Sequence, residues 1–414
     1  MVVKGRIAGL HYGYVVLAAA SLALIATLGF GRFTYSLILP GMKDGLSLNY
    51  GQMGLLGTSN MVGYLVAVPL AGLAASHFGS RLVMSGSMTI TGLALLATGF
   101  SPGFEWALFF QTIVGLGSAG PAVCSMAAAG IWVAPRNRGL ASGFVVGGVG
   151  LSFFASGAAI PALVGSYPEM GWRYAWYFVG GVVLASGLVV AALMRDRPQD
   201  LGLNPIGASM TEAPRQTPGG ALNWGLVYKS GTVWHLAGLY GVFGFAYVSY
   251  LTFFAAFLSA QGGLSEGIIG NMWAISGAGL VIGAVIWGSL SDRLGRKLGI
   301  ALTFAVLGAS ILLFTVSHSV VVYTLSAVLF WAAEPGVPVI VAACCGDYVG
   351  ARLAPAAMGF TTLFMGIGQA AGPVLTGSLA DMTGSFYWSF YLAAMVAGLG
   401  IVSALLLRQP KTQL

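Results

Sequence analysis

The chain has 414 residues, of which 57% are hydrophobic and only 7% are charged, and its mean hydropathy is +0.87. A soluble domain carries roughly a quarter charged residues, so this composition excludes an ordinary soluble protein and indicates a chain solvated mostly by lipid. The net charge of +7 would suit nucleic-acid binding only if the basic residues formed a patch on a soluble face, and they lie instead mostly between apolar runs.

Twelve apolar runs of roughly 20 residues predict twelve transmembrane helices. Lys4 and Arg6 precede the first run, which is longer than the core of a signal peptide and is therefore expected to remain as a helix. Turn signals separate the runs, among them Pro40-Gly41 with Lys43-Asp44. The predicted helices are 14–39, 51–75, 82–100, 105–131, 140–165, 172–194, 233–260, 266–287, 298–317, 319–346, 356–377 and 385–407.

The apolar signal stops between the sixth and seventh predicted helices, where prolines, glycines and scattered charges accumulate. This pattern predicts an N-terminal six-helix domain over 1–194, a cytoplasmic linker over 195–232 and a C-terminal six-helix domain over 233–414. Residues 224–228, next to Lys229, are either a short amphipathic helix at the membrane surface or plain linker.

A ten-residue segment with two glycines in register and a basic residue at its last position occurs twice in the chain, and its second copy is rich in charge. Residues 288–297 read GSLSDRLGRK, and residues 72–81, which lie 216 positions earlier, read GLAASHFGSR. Both segments lie between two apolar runs, so each is interpreted as a loop where the chain leaves the membrane. The same offset relates Trp172 to Trp388, which indicates that the two halves of the chain repeat one design.

The second copy, with the pattern G-x-L-x-D-R-x-G-R-K, resembles the signature loop of the major facilitator superfamily of secondary transporters. That resemblance implies an all-α membrane protein with two pseudo-symmetric six-helix bundles and a gating role for the loop. Ser76 and His77 replace the Asp and Arg of the pattern in the first copy, so charge-paired gating is expected of the second copy. Either loop is alternatively a positively charged turn that obeys topology rules. The candidate gating residues are Gly72, Gly79, Arg81, Gly288, Asp292, Arg293, Gly295, Arg296 and Lys297.

The basic residues give the predicted orientation. Fifteen of the 18 fall on one side of the predicted helices, which makes that side the cytoplasm and places both termini there. Lys43 and Arg173 face the opposite compartment, and Arg32 lies inside a helix. We expect a multi-pass protein of the cytoplasmic membrane, present as a monomer among lipids.

Two further stretches narrow the resemblance. Residues 195–202, RDRPQDLG, look like the sequence that follows the sixth helix of many bacterial facilitators. Residues 346–350, GDYVG, with Gly372-Pro373 and Asp381 beyond them, are similar to the corresponding part of monocarboxylate carriers and their bacterial organic-anion relatives. The arginine that those carriers place in the eighth helix is missing, because residues 268–287 contain no charge.

Arg32 is the first candidate for substrate binding. A charge inside the membrane costs several kcal/mol unless it is paired or hydrated, so such a residue is a functional candidate by default. Its guanidinium could hold a carboxylate with two parallel hydrogen bonds. Helical spacing predicts Leu28, Tyr35 and Ser36 beside it. The alternative is a structural arginine that binds helix-end carbonyls or extends to the membrane surface.

Glu334 is the candidate for proton coupling. It lies near the centre of the tenth predicted helix and is followed by Pro335 and Pro338. These prolines remove backbone donors, so nearby carbonyls must be satisfied by protein or by water in a cavity, as along a transport pathway. The alternative is a glutamate that only holds two helices together.

Several polar and aromatic residues on helices that face the cavity in this fold are weaker candidates for substrate binding, since each is individually more often a packing residue. They are Asn60, Gln111, Tyr247, Tyr250, Asn271, Trp331 and Gln369.

No nucleotide-binding loop, zinc-ligand spacing or Ser-His-Asp set occurs in the sequence, and its three cysteines lie inside apolar runs. We therefore expect no cofactor, no metal, no nucleic-acid partner and no enzyme activity. The leading hypothesis is a secondary transporter that moves a small organic anion by alternating access, with protons as the coupling ion. An efflux carrier for lipophilic compounds and a non-transporting membrane sensor on the same scaffold are the alternatives.

Overall fold

A computed structural model describes residues 6–7, 10–134, 137–167, 169–207, 225–316, 318–350 and 353–408, and every structural statement below concerns these residues. Twelve helices in this part of the chain are long and apolar enough to cross a membrane, which confirms the predicted all-α architecture. We number these helices α1 to α12 in chain order. Their bounds are Tyr12–Leu46, Tyr50–Phe78, Ser80–Gly99, Phe104–Trp132, Arg138–Ser166, Gly171–Leu193, Gly231–Ala260, Glu266–Leu294, Arg296–Val316, Val320–Val349, Ala354–Thr383 and Phe386–Leu406.

The predicted turn at Pro40-Gly41 is wrong, because both residues lie inside the last helical segment of α1, Tyr35–Leu46. Proline within a membrane helix is tolerated where neighbouring groups satisfy the backbone that it frees. The chain turns instead at Ser47, whose φ is 52°, and the Leu48 N–H donates to the Lys43 carbonyl at 2.9 Å.

The two signature segments are also mostly helical, which corrects their interpretation as loops. Helix α2 continues to Phe78 and α8 to Leu294, and in each case a single glycine separates the helix from the next one. These are Gly79, with φ 83°, and Gly295, with φ 87°. Glycine adopts positive φ without the steric cost that a Cβ brings, which is why one residue is enough to reverse the chain direction.

The helices α1, α5 and α10 are each interrupted. Helix α1 contains a π-helical segment, Ile25–Phe33, and α5 is divided between Arg138–Gly147 and Val149–Ser166. Helix α10 is divided into Val320–Ala333 and Gly336–Val349. Broken helices in a membrane expose backbone groups that can serve transport.

Contacts group the chain into two compact units. Unit 1 contains Met1–Tyr35, Val62–Phe153 and Trp172–Gly220, and unit 2 contains Ser36–Met61, Phe154–Gly171 and Ala221–Leu414. The division by sequence into 1–194, 195–232 and 233–414 stays a prediction, since these units follow contacts and not the repeat.

Small residues allow close helix packing within each unit. In unit 1, a Cβ on Gly92 would lie 2.6 Å from the Leu184 side chain. In unit 2, a Cβ on Gly372 would lie 2.8 Å from Ser249. Lipid gives helices no hydrophobic reason to associate, so close van der Waals contact at glycine must supply much of the attraction.

Short elements precede α1 and follow α6. Strands β1, Arg6–Ile7, and β2, Leu10–His11, pair antiparallel. After α6 the chain forms a 3₁₀ turn at Pro198–Leu201, and Ile206 then pairs with Val133. A four-residue helix, Gly225–Tyr228, precedes α7. Lys4, residues 208–224 of the predicted linker and the first residue of the segment 224–228 lie outside the described part.

Candidate functional site

The π-helical segment of α1 is the first feature that positions a charge. Its wider hydrogen-bonding pattern is visible where the Thr34 N–H donates to the Gly29 carbonyl at 3.2 Å. The Thr34 hydroxyl donates to the same carbonyl at 3.1 Å. Gly29 lies directly against Ser152 of α5, where any side chain would collide. π-Helical turns are rare and frequently mark functional sites.

Arg32 lies in the last turn of this π-helical segment and is only 9% exposed. Its guanidinium carbon lies 4.9 Å from the centre of the Tyr64 ring of α2. A desolvated guanidinium over an aromatic face gains cation–π attraction, while its N–H groups remain suited to a planar anion. Unit 1 thus contains a buried cation on an irregular helix.

The predicted neighbours of Arg32 rest on α-helical spacing, whereas Leu28 and Arg32 share the π-helical segment, so the placement of Leu28 beside Arg32 stays a prediction. Tyr35 is buried in unit 1, with its ring 6.3 Å from that of Trp176. Ser36 belongs to unit 2, where its hydroxyl accepts from the Ala255 N–H at 3.4 Å.

Aromatic rings surround this part of α1. Phe33 stacks on Phe153 with ring centres 5.8 Å apart, and Phe30 meets Phe178 edge-on at 6.2 Å. Gln111 of α4, another predicted candidate in unit 1, is 1% exposed. The surroundings are therefore largely apolar, which strengthens electrostatic interactions with Arg32.

The structure brings two predicted candidates of unit 2 together. Gln369 of α11 donates through Nε2 to the Tyr247 hydroxyl of α7 at 2.6 Å, and both residues are buried. Tyr247 also stacks on Phe243 with ring centres 5.0 Å apart. This pair joins two helices of the unit by a buried polar contact.

Tyr250 packs tightly among side chains of neighbouring helices. Its ring stacks on Phe330 at 3.9 Å, and its hydroxyl lies 3.2 Å from the Ser326 hydroxyl, which donates to the Ser310 carbonyl at 2.7 Å. These contacts tie α7, α9 and α10 together. A packing role therefore explains Tyr250 more directly than contact with substrate.

The remaining candidates of unit 2 differ in exposure. Trp331 is fully buried and meets Trp273 edge-on with ring centres 5.7 Å apart. Asn60 on α2 is 5% exposed, whereas Asn271 on α8 is exposed. The structure does not bring Asn271 to the buried polar contact between Gln369 and Tyr247.

Glu334 lies at the break in α10, directly after Ala333 ends the first segment. Its own N–H donates to the Phe330 carbonyl at 2.8 Å, and its side chain is half-buried. The indole Nε1 of Trp287 donates to the Ala332 carbonyl at 2.8 Å, which satisfies a backbone acceptor beside the break. Gly336 packs against Trp287, where a Cβ would lie 2.7 Å from the indole ring.

The second signature segment carries the predicted charge pairing. Arg296 donates through Nη1 to Asp292 at 2.5 Å and through Nε to Asp347 at 2.9 Å. The same Nη1 donates to the Ser291 hydroxyl at 3.0 Å. Arg296 thus joins the ends of α8 and α10. Arg293 is exposed and Lys297 half-buried.

At the first signature segment, the carboxylate that binds the chain belongs to a residue outside the segment. Ser76 only donates to the Leu73 carbonyl and lies 3.1 Å from His77 Nδ1. The carboxylate at this position is that of Asp196, which accepts from the Arg81 N–H at 2.8 Å. Arg81 Nε donates to the Ala191 carbonyl at 2.8 Å.

Sequence reasoning did not assign roles to Asp196 and Asp347. The partners of both lie far away in the sequence, at separations of 115 and 51 residues. The sequence offered one indication, because Asp196 and Asp347 each directly follow the end of a predicted transmembrane helix. The ends of several helices come close together at such positions. Among the described residues no group of three His, Cys, Asp or Glu side chains could hold a metal ion.

Residues 24–408 match the sequence model of a transporter family described as "Uncharacterised MFS-type transporter YbfB". The chain is 25% identical over 398 residues to a "Probable sulfoacetate transporter SauU" of Cupriavidus necator, covering 90% of this chain and 89% of that protein. It is 23% identical over 402 residues to a hexuronate transporter of Bacillus subtilis, covering 90% of each.

A shorter match, 32% identical over 164 residues and 38% of each chain, is to a 3-(3-hydroxy-phenyl)propionate transporter of Escherichia coli. The fold is similar to a crystal structure of a bacterial homologue of the human lysosomal transporter Spinster, in an inward-facing and unoccupied conformation. That comparison gives a TM-score of 0.71 at 18% identity, over 95% of this chain and 93% of that one.

Proposed function

This chain belongs to the MFS-type transporter family, and from that premise we propose that it is a secondary transporter that moves a small organic anion, a carboxylate, by alternating access coupled to protons. It is a multi-pass membrane protein, and the described part of the chain contains twelve helices long and apolar enough to span the bilayer. The observation that carries the proposal is the buried guanidinium of Arg32 on the π-helical segment of α1.

Arg32 suits an organic acid better than a neutral or cationic substrate. A guanidinium presents a rigid fork of donors that matches the two oxygens of a carboxylate. Its position over the Tyr64 ring adds a cation–π contact, which helps to hold the guanidinium in place. The names of three relatives, which concern sulfoacetate, hexuronate and hydroxyphenylpropionate, all denote organic acids and support this class.

Glu334 is proposed as the group that carries the coupling proton. A carboxyl group can take up and release a proton within one transport cycle, as general acids and bases do. The break at Pro335 places this carboxyl beside irregular backbone, and irregular backbone at membrane depth is tolerated where it is covered by protein or lines a cavity. The proposal assigns substrate binding to unit 1 and proton binding to unit 2.

The proposed orientation has the signature segments and both termini on the cytoplasmic side of the cell membrane, with a monomer as the working unit. It rests on the distribution of basic residues, since cytoplasmic loops carry an excess of lysine and arginine. Arg293, Arg296 and Lys297 at the junction of α8 and α9 contribute to this excess.

The proposal can be tested by ligand-induced thermal stabilisation of the purified protein. We expect small carboxylates to raise the unfolding midpoint of the parent, and Arg32→Gln to abolish this shift. Stabilisation by lipophilic cations alone would contradict the proposal and favour an efflux carrier. A misfolded variant would also lose the ligand-induced shift. The unfolding midpoints of parent and variant are therefore first compared without ligand.

Arg173 offers a matched control for Arg32. It also lies in unit 1 and places its guanidinium carbon 4.3 Å from the centre of an aromatic ring, that of Trp172. However, its Nη1 donates to the Gly99 and Ser101 carbonyls at 2.7 and 3.0 Å, as a structural arginine does. Arg173→Gln should lower the midpoint without changing the carboxylate-induced shift. An equal loss of that shift in both variants would contradict a specific role for Arg32.

A further inference from the structure

The N-terminus of α2 is bound by a carboxylate from a distant helix. Asp381 lies in the last turn of α11 and accepts from the Tyr50 N–H through Oδ1 at 2.8 Å and from the Gly51 N–H through Oδ2 at 2.6 Å. All three residues belong to unit 2, although 330 residues separate Asp381 from Gly51 in the sequence. Both carboxylate oxygens are therefore used at one helix end.

The electrostatics of both helices favour this contact. The first N–H groups of a helix have no partner within it, and the N-terminus carries a partial positive charge. Conversely, a carboxylate in the last turn of its own helix lies at the partially negative end, which is unfavourable. Asp381 therefore lies at an unfavourable end of α11 and finds a favourable partner at the start of α2.

Helix α2 does not need Asp381 for its own local cap. The Asn49 side chain accepts from the Gln52 N–H at 2.7 Å, and the Gln52 side chain accepts from the Asn49 N–H at 3.0 Å. This reciprocal arrangement is a capping box. The bonds to Asp381 come in addition to it, so α2 can lose them without losing its own start. Such a contact is suited to being made and broken.

The neighbouring contacts show that α2 and α11 meet over more than one turn. Thr58 donates to the Ala370 carbonyl at 2.6 Å, and Gly54 lies directly against the Pro373 backbone. Asp381 is nevertheless exposed, so water can replace the two N–H groups when the helices separate. Helices α2 and α11 are thus closely packed along part of their length, and the carboxylate at the end of this contact is accessible to water.

We propose that Asp381 is a latch that holds the outer ends of α2 and α11 together and thereby stabilises the outward-closed conformation. This inference rests on the proposed alternating-access function and on the predicted six-helix domains, which place α2 and α11 in different domains. It also rests on the proposed orientation, in which the start of α2 and the end of α11 face the outside. Opening toward the outside then requires the Tyr50 and Gly51 N–H groups to exchange Asp381 for water. Closure is reversible, because water can solvate the exposed Asp381 carboxylate when its bonds to the N–H groups break.

The latch can be tested by measuring a distance instead of transport. The three native cysteines, which are all buried, are replaced by alanine, and nitroxide labels are attached to cysteines introduced at Ser47 and Met382. Both positions are exposed and flank the contact. Double electron–electron resonance in lipid nanodiscs then reports the distance distribution between the turn that precedes α2 and the end of α11, without any substrate.

We expect Asp381→Ala to raise the ratio of long to short distances by about twofold to thirtyfold, the range that corresponds to loss of a helix-capping side chain. Asp381→Asn keeps one acceptor oxygen and should give a smaller rise. Asp44→Asn is the matched control, because Asp44 is an exposed acid in the same unit that pairs with Lys43 at 3.7 Å and should leave the distribution unchanged.

An unchanged distribution in Asp381→Ala, or an equal change in Asp44→Asn, would overturn the latch. The unfolding midpoint of each labelled variant identifies a protein that has lost its fold, and Asp381→Asn remains informative if the alanine variant does so. The measurement needs neither an anion nor a proton gradient. A failure of the proposed function, seen as absent carboxylate binding in the parent, is therefore distinguishable from a failure of the latch.

Discussion

Asp196 lies against Gly79, and a Cβ built on this glycine would be 2.7 Å from a carboxylate oxygen of Asp196. The same carboxylate accepts from the Arg81 N–H at the start of α3. The junction between α2 and α3 thus depends on a residue that follows α6. The corresponding junction between α8 and α9 has open space at Gly295 and finds its carboxylates in Asp292 and Asp347.

This difference predicts unequal effects of alanine at the two junction glycines. Gly295→Ala should cost about 1–3 kcal/mol of stability, because φ 87° with ψ 153° is a backbone conformation that residues with a Cβ rarely adopt. Gly79→Ala has nearly the same φ strain and in addition collides with Asp196, so it should cost more. Thermal unfolding in detergent measures the two midpoints.

The collision can be isolated with a double-mutant comparison. In an Asp196→Ala background the extra cost of Gly79→Ala should disappear, while Gly295→Ala should cost the same as before. An equal loss for both glycines in the parent would show that Asp196 moves away freely.

A second prediction concerns Asp196 itself as an acceptor at the start of α3. Asp196→Ala should lower stability by about 0.5–2 kcal/mol, the usual cost of losing a side chain that caps a helix. Ser76→Ala should change stability by less, because Ser76 donates only to the Leu73 carbonyl of its own helix. Unfolding midpoints of the two variants check this, and a larger effect at Ser76 would contradict the assignment.

A third prediction concerns gating by the second signature segment. Arg296 binds both Asp292 and Asp347, so removing either carboxylate should loosen the ends of α8 and α10. Asp292→Asn and Asp347→Asn should each lower transport and increase cytoplasmic accessibility more than Ser76→Ala does. Labelling of single cysteines near each segment with a membrane-impermeant maleimide measures this. Equal accessibility in all three variants would show that the two halves gate alike.

The number and order of the helices could be predicted because bilayer thickness sets the length of an apolar run. The ends of the helices could not be predicted in the same way. Helices α2 and α8 continue to Phe78 and Leu294, through residues that the hydropathy pattern assigns to loops. When nearly all residues of a helix are apolar, the hydrophobic pattern does not reveal a change in the number of residues per turn. The π-helical segment around Arg32 was therefore not predicted.

Only some residues of the candidate site could be picked out from the sequence. Arg32 and Glu334 stand out in the sequence because isolated charges in apolar runs are costly. Asp196, Asp347 and Asp381 lie near helix ends, where charges are common, and only the fold shows what each one binds. Contacts between distant residues carry no local sequence pattern.

The last prediction concerns proton coupling by Glu334. Glu334→Gln keeps the shape of the protonated side chain but cannot release a proton. If the neutral form is the transport-competent one, this variant should still bind substrate and exchange it across the membrane. It should lose the acceleration of uptake by an imposed proton gradient. The α10 break should persist, because Pro335 and the Trp287 bond to the Ala332 carbonyl are unchanged.

Uptake and exchange in proteoliposomes, each with and without a pH gradient, separate these effects. Glu266→Gln is a suitable control, because Glu266 is an acid at the start of α8 in the same unit and lies away from the break. It should respond to the gradient like the parent. If Glu334→Gln also responds like the parent, Glu334 is a structural residue. Loss of exchange as well as gradient response would instead place Glu334 in substrate binding, because a pure proton carrier is needed only for the coupled step.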